Sequence, residues 1–147
     1  MKTKMKTLLI ALSMISLNCM AQFEPFVGIS IHSKGFSPQV GAKYENTVAS
    51  IGYSKPFTSS VNPTLFFGNV GYEFNLTPEK EDGYNLTPLL GISSYTFEDA
   101  VKEETVKGIA PIYSLELGKD FFNGRLFTHV SYSKVFYVGA GFKIFIR

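Results

Sequence analysis

Stretch after stretch of this chain alternates apolar and polar residues at every second position. Successive side chains on an extended strand point to opposite faces, so each such stretch predicts a strand with one apolar face. In 23–32, Phe23, Val27, Ile29 and Ile31 stand against Glu24, Gly28, Ser30 and His32. In 39–45, Val40, Ala42 and Tyr44 oppose Gln39, Gly41, Lys43 and Glu45. In 48–55, Ala49, Ile51 and Tyr53 oppose Ser50, Gly52 and Ser54, and in 64–75, Phe66, Val70, Tyr72 and Phe74 oppose Asn69, Gly71, Glu73 and Asn75. Stretches 88–97, 111–121 and 125–133 add three strands. The eighth, 135–147, places Phe136, Val138, Ala140, Phe142, Ile144 and Ile146 on one face. Tyr137, Gly139, Gly141, Lys143, Phe145 and Arg147 fall on the other. Pro88 and Pro111 lack a ladder donor, which places them first in their strands, or else at a bulge.

The connections are rich in turn residues and charge. Residues 78–83 and 98–108 read as charged loops, 55–63 is rich in Ser and Pro, and Asn123-Gly124 is a hairpin signal. Short turns are expected at Glu45-Asn46-Thr47 and at Ser133-Lys134. The phrase Asn-Leu-Thr-Pro occurs at 75–78 and at 85–88, and carries no argument.

The N-terminus is of another kind. Lys2, Lys4 and Lys6 precede an apolar run at 8–17, the layout of a secretory signal peptide. The run is too short to span a bilayer as a helix, and no other stretch is apolar enough to do so. Two readings of its end compete: cleavage after Ala21, making 1–21 the signal peptide and 22–147 the domain, or lipidation at Cys19, where Asn18 fits the lipoprotein pattern poorly. Cleavage leaves no cysteine, so folding needs no oxidising compartment and tolerates one. It also removes three of the 14 basic residues, leaving a near balance with the 12 acidic ones. Such a chain has no basic footprint for nucleic acid. With 18% charged and 45% hydrophobic residues over 147, one folded domain is expected rather than a disordered chain.

Eight strands of about ten residues match the length that crosses a bilayer as a tilted barrel strand. Alternation alone leaves two barrels open. A soluble barrel turns its apolar face inward around a ligand, whereas a membrane barrel turns it outward. The polar face is mostly Gly and Ser, including Gly28, Ser30, Gly41, Ser50, Gly91, Ser93, Gly118 and Ser131. Small residues suit a crowded interior better than a solvated exterior. The charges on that face, Glu24, Lys43, Glu73, Glu116 and Lys143, are then expected to pair with one another, because an unpaired buried charge is costly. The fold expected is all-β, an eight-stranded antiparallel up-and-down transmembrane barrel.

On these features, residues 22–147 resemble a small outer-membrane β-barrel of the OmpA/OmpX type, and the Ala21-Gln22 junction resembles signal ends common in the Bacteroidetes group. The resemblance is sharpest in the last strand. Tyr137, Gly139, Phe142 and Ile144 fit the polar-x-Gly-x-x-apolar-x-apolar spacing read by barrel insertion machinery, although the usual terminal aromatic is replaced by Phe145-Ile146-Arg147. The resemblance implies a monomer in the outer membrane of a Gram-negative bacterium. Its partners would be outer-membrane lipid and the insertion machinery, and function would lie in the outer connections 33–38, 56–63, 98–110 and 133–134.

Chemistry is sparse. The chain has two histidines and one cysteine, with no metal-ligand spacing and no phosphate-binding loop, so no cofactor is expected. His129 and Ser131 share a strand face and loosely resemble the His-x-Ser of outer-membrane lipid A deacylases, but the following Asn and downstream carboxylate are missing. Their phase points them inward. The plainer expectation is a buried His129 bonded to Glu116 or Tyr137 within the interior network. His32, at the end of the first strand beside the 33–38 loop, is expected in a rim or loop-contact role. The leading function is therefore non-enzymatic, structural or surface-interacting. A soluble barrel binding an apolar ligand is the alternative, and the deacylase is a third.

Overall fold

The computed structural model describes residues 23–58, 62–79, 82–99 and 104–146. The expected signal peptide and Cys19 lie outside these residues. Eight antiparallel strands form the wall: β1 (Phe23–His32), β2 (Gly35–Tyr44), β3 (Thr47–Pro56), β4 (Thr64–Tyr72, continued by Phe74–Asn75), β5 (Tyr84–Asp99), β6 (Glu104–Phe121), β7 (Gly124–Ser133) and β8 (Val135–Phe145). Each pairs with its neighbours in sequence, and β1 also pairs with β8, from Phe26↔Phe145 to His32↔Gly139. The sheet therefore closes on itself, and below the outer ends of β5 and β6 the wall has no free edge.

Among the described residues, three connections are tight enough to force a non-glycine residue into the left-handed region. These residues are Glu45 (φ 52°), Phe122 (φ 45°) and Lys134 (φ 61°). The Asn123-Gly124 signal is off by one position: the turn is Phe122–Asn123, and Gly124 already pairs with Phe121 as the first residue of β7. Similarly, Gly35–Pro38 belong to β2, so the first outer connection shrinks to Ser33–Lys34.

The charged region 98–108 is also corrected. Outside 100–103 it is extended, and β5 and β6 pair without interruption from Tyr84↔Lys119 to Asp99↔Glu104. This hairpin outruns the rest of the wall: the β6–β7 ladder stops at Tyr113↔Tyr132.

Neither proline begins its strand, and neither causes a bulge in the β5–β6 register. Pro88 pairs with Leu115 on one side, and on the other it falls in the gap of the β4–β5 ladder between Gly71↔Leu89 and Phe74↔Leu86. Pro111 pairs with Ile92 and lies beyond the end of the β6–β7 ladder. Each thus sits where one side of the strand needs no donor.

Burial is reversed relative to a water-soluble barrel. Ile29, Ile51, Leu90, Ile92, Leu126 and Val138 are exposed, while Ser30, Ser50, Ser93, Glu116, Arg125 and Lys143 are buried. The exposed aromatics form two rings. Phe23, Tyr44, Tyr72, Phe74 and Tyr84 stand near the end that holds the first residue of β1; Tyr53, Phe66, Tyr113, Tyr132 and Phe136 stand near the other.

Candidate functional site

The polar residues of the lumen form three layers. The layer nearest the chain ends is an ionic chain. Glu73 accepts from Lys43 Nζ at 2.7 Å and from Arg125 Nη1 at 2.5 Å. Arg125 also grips Asp120 with two donors, Nε at 2.5 Å and Nη2 at 2.9 Å, and Asn85 Nδ2 donates to the same carboxylate at 2.7 Å. The chain ties together β2, β4, β7, β6 and β5 across the lumen. A planar guanidinium suits this place, since its fork satisfies two carboxylates at once. Gly118 makes the room: a Cβ there would lie 2.6 Å from Arg125 Cδ.

The middle layer is a plug. Lys143 bonds Glu116, and its ammonium lies 5.1 Å from the centre of the Phe26 ring and 4.7 Å from that of Phe127. The ion pair is thus held between aromatic faces, which favour a cation. Phe26 is seated by Gly41, whose absent Cβ would stand 2.5 Å from the ring's Cζ.

Hydroxyl and imidazole groups make up the third layer. His32 Nδ1 accepts from the Lys34 backbone N–H at 3.2 Å. Its Nε2 therefore carries the proton and faces Ser37 Oγ at 3.1 Å and Ser54 Oγ at 3.0 Å. His129 Nδ1 lies 3.1 Å from Ser131 Oγ. Ser50 donates to Asn69 at 2.5 Å, and Ser93 and Ser133 share a bond of 2.6 Å. Both imidazoles stand at the level of Gly139, where a Cβ would fall 2.7 Å from His129 Nε2 and 2.5 Å from the Ile31 carbonyl. The cavity among these groups offers about 40 Å³ for the centres of water molecules. That is room for a few waters, and for nothing the size of an acyl chain.

Of the expected network, Lys43, Glu73, Glu116 and Lys143 come together as two sets of ion pairs. Glu24 is half-buried at the end of β1. His129 is separate from them. Its expected partners are corrected to Ser131, because Glu116, directly opposite in the register, is taken by Lys143. His32 ends β1 and accepts from the backbone of Lys34 in the first outer connection, as a loop-contacting residue should, and its ring is turned into the lumen, only 5% exposed.

Sequence reasoning missed Arg125, Asp120 and Asn85. The signal for Arg125 was parity, for it shares the inward phase of His129 and Ser131. His129 and Ser131 both point into the closed lumen, away from any lipid ester outside the wall. In β8, Tyr137 is buried and Gly139 faces inward, while Phe142 and Ile144 lie on the outward phase.

Several solved structures are similar to this chain, three of them as follows. The N-terminal β-barrel domain of Pseudomonas aeruginosa OprF aligns with a TM-score of 0.60 at 12% identity, covering 84% of this chain and 96% of that one. A de novo designed transmembrane β-barrel aligns with a TM-score of 0.53 at 13% identity, covering 84% and 94%. Neisserial surface protein A aligns with a TM-score of 0.50 at 12% identity, covering 83% and 94%. The chain has the fold of a small outer-membrane barrel. At these identities the likeness is one of fold alone. No protein-family model matches the sequence, and no curated protein does either.

Proposed function

We propose that this chain is a small non-enzymatic barrel of a Gram-negative outer membrane, structural or surface-interacting, with a packed and non-conducting interior. The reversal of burial carries the reading: an exposed wall of Ile, Leu, Val and Phe surrounds buried ion pairs. In water such a wall would be a severe aggregation hazard, whereas in lipid it is the stable arrangement. The same reversal supports the membrane barrel over a soluble ligand-binding one, since the apolar face is turned outward and lines open grooves on the outside of the wall rather than the lumen.

Strand length and the aromatic rings agree. Ten residues at roughly 3.4 Å each, tilted by about 45°, span about 24 Å, close to the apolar band of such barrels. The two aromatic rings stand where the two interfaces would lie. Below the overhanging β5–β6 hairpin the wall is closed with every strand paired on both sides, which favours a monomer. Outer-membrane lipid and the insertion machinery are the partners, the latter reading Tyr137, Gly139, Phe142 and Ile144 before closure buries the first two. With the chain ends on the periplasmic side, the outer connections are 33–34, 57–63, 100–103 and 134.

The test is gel mobility in SDS, boiled against unboiled, on protein extracted from the membrane fraction. A closed membrane barrel resists cold SDS and shifts on heating. An unshifted protein found in the soluble fraction would reject the reading.

A further inference from the structure

His32 joins three strands and a turn. Its Nδ1 accepts from the Lys34 backbone N–H at 3.2 Å, in the turn that leads from β1 into β2. Its Nε2 stands 3.1 Å from Ser37 Oγ of β2 and 3.0 Å from Ser54 Oγ of β3. The β2–β3 ladder is interrupted at these serines, between Phe36↔Lys55 and Gln39↔Gly52, where Pro38 lacks a donor. The ring thus spans a gap that backbone pairing leaves. The turn it holds is itself tied to its neighbours. Ser33 N–H donates to the Val138 carbonyl of β8, and Phe57 N–H, just past β3, to the Lys34 carbonyl, each at 2.8 Å.

This arrangement needs a neutral ring. The bond from Lys34 N–H uses the lone pair on Nδ1, and a proton would use the same lone pair. In an imidazolium both nitrogens are donors, so Nδ1–H would face the Lys34 N–H, donor against donor. Turning the ring over puts a C–H there instead, and the Lys34 N–H still has no acceptor. The groups that face the ring do not offset an added charge. They are the two serine hydroxyls, His129 of β7 with ring centroids 6.4 Å apart, and Tyr137 of β8 with centroids 4.9 Å apart. Asn69 of β4 lines the same cavity and is uncharged. Among the residues lining that cavity Glu116 of β6 is the sole carboxylate, and Lys143 of β8 already holds it. Lys34 carries a charge of like sign.

We propose that His32 is a proton-sensitive latch on the outer connection 33–34: the neutral ring holds the turn, and proton uptake at Nδ1 in acid lets it go. Proton and latch compete for one lone pair, so linkage makes lower pH favour the released turn. The latch rests on the closed lumen and not on what surrounds the wall.

The test is nuclear magnetic resonance of the refolded, isotope-labelled protein in micelles, titrated from neutral pH into acid. At neutral pH the His32 ring should be the Nε2–H form, with the Lys34 N–H protected from exchange. As the ring takes up a proton, exchange of the Lys34 N–H, corrected for its intrinsic pH dependence, should rise on the order of tenfold. The Phe57 N–H should follow. The Phe145 N–H, bonded to the Asn123 carbonyl at the other end of the wall, should not respond. His32→Gln should abolish the step and His129→Gln should keep it. Should His32→Gln fail to fold, the wild-type titration decides alone. An Nδ1–H form at neutral pH, or a Lys34 amide that does not follow the ring, would overturn the latch. So would a step that persists in His32→Gln or vanishes in His129→Gln, or a ring that stays neutral until the heat-dependent gel shift is lost. A step seen in a protein that needs no micelle would keep the latch and reject the membrane reading.

Discussion

Arg125 is 4% exposed and answers two carboxylates, Glu73 and Asp120. Removing it leaves Glu73 buried with Lys43 alone among the bonds described, and Asp120, which is partly exposed, with Asn85. Arg125→Met should therefore lower the unfolding free energy by about 3 kcal/mol or more, measured by urea titration of the refolded protein. A loss well under 1 kcal/mol would mean that the chain is hydrated and contributes little. Tyr137 sets the opposite case. Its hydroxyl is buried and has no hydrogen-bond partner among the described residues. Tyr137→Phe removes a polar atom that gains nothing from burial, so stability should stay level or rise by up to about 1 kcal/mol. A clear loss in the same titration would show that the hydroxyl is bonded after all.

At the scale of elements, the strands are set by alternation and the turns by strain. Glu45 holds a left-handed φ of 52° that favours glycine. Glu45→Gly should stabilise the β2–β3 hairpin by a few tenths to about 1 kcal/mol, read as a higher midpoint in the same titration; a lower midpoint would place the turn under no strain. The outward face makes a depth-dependent prediction. Leu115, 47% exposed, lies on β6 between Tyr113 of one ring and Lys119, which pairs with Tyr84 of the other. Leu115→Arg should cost about 2–4 kcal/mol in a bilayer, and Tyr84→Arg, at the ring, no more than about 1. Equal costs at the two depths would argue against a bilayer around this wall.

The whole molecule is a ring in which every strand leans on two neighbours, and the charged and aromatic layers brace it from within. No strand can leave without opening the ring, so unfolding should be a single cooperative event. Far-UV circular dichroism and gel mobility should give coincident midpoints in urea. Separate midpoints would mean that the long β5–β6 hairpin, or another part, melts alone.

What the sequence by itself determined is local: strands, faces and small inward residues all follow from a period of two, which is read along the chain. Even the inward phase of His129 and Ser131, and the demand that Lys43, Glu73, Glu116 and Lys143 find opposite charges, could be read that way. Strand ends were read less well: Pro88 and Pro111 are absorbed where a neighbouring ladder breaks or stops, and that is a property of the neighbour. Only the tertiary structure decided who meets whom. Arg125 and Glu73 are 52 residues apart, and their contact depends on closure between β1 and β8 and on a register carried around the wall. Which face looks outward needed both: alternation is symmetric between the two faces, the Gly and Ser content favoured one as the inner face, and closure assigned that face to the narrow lumen.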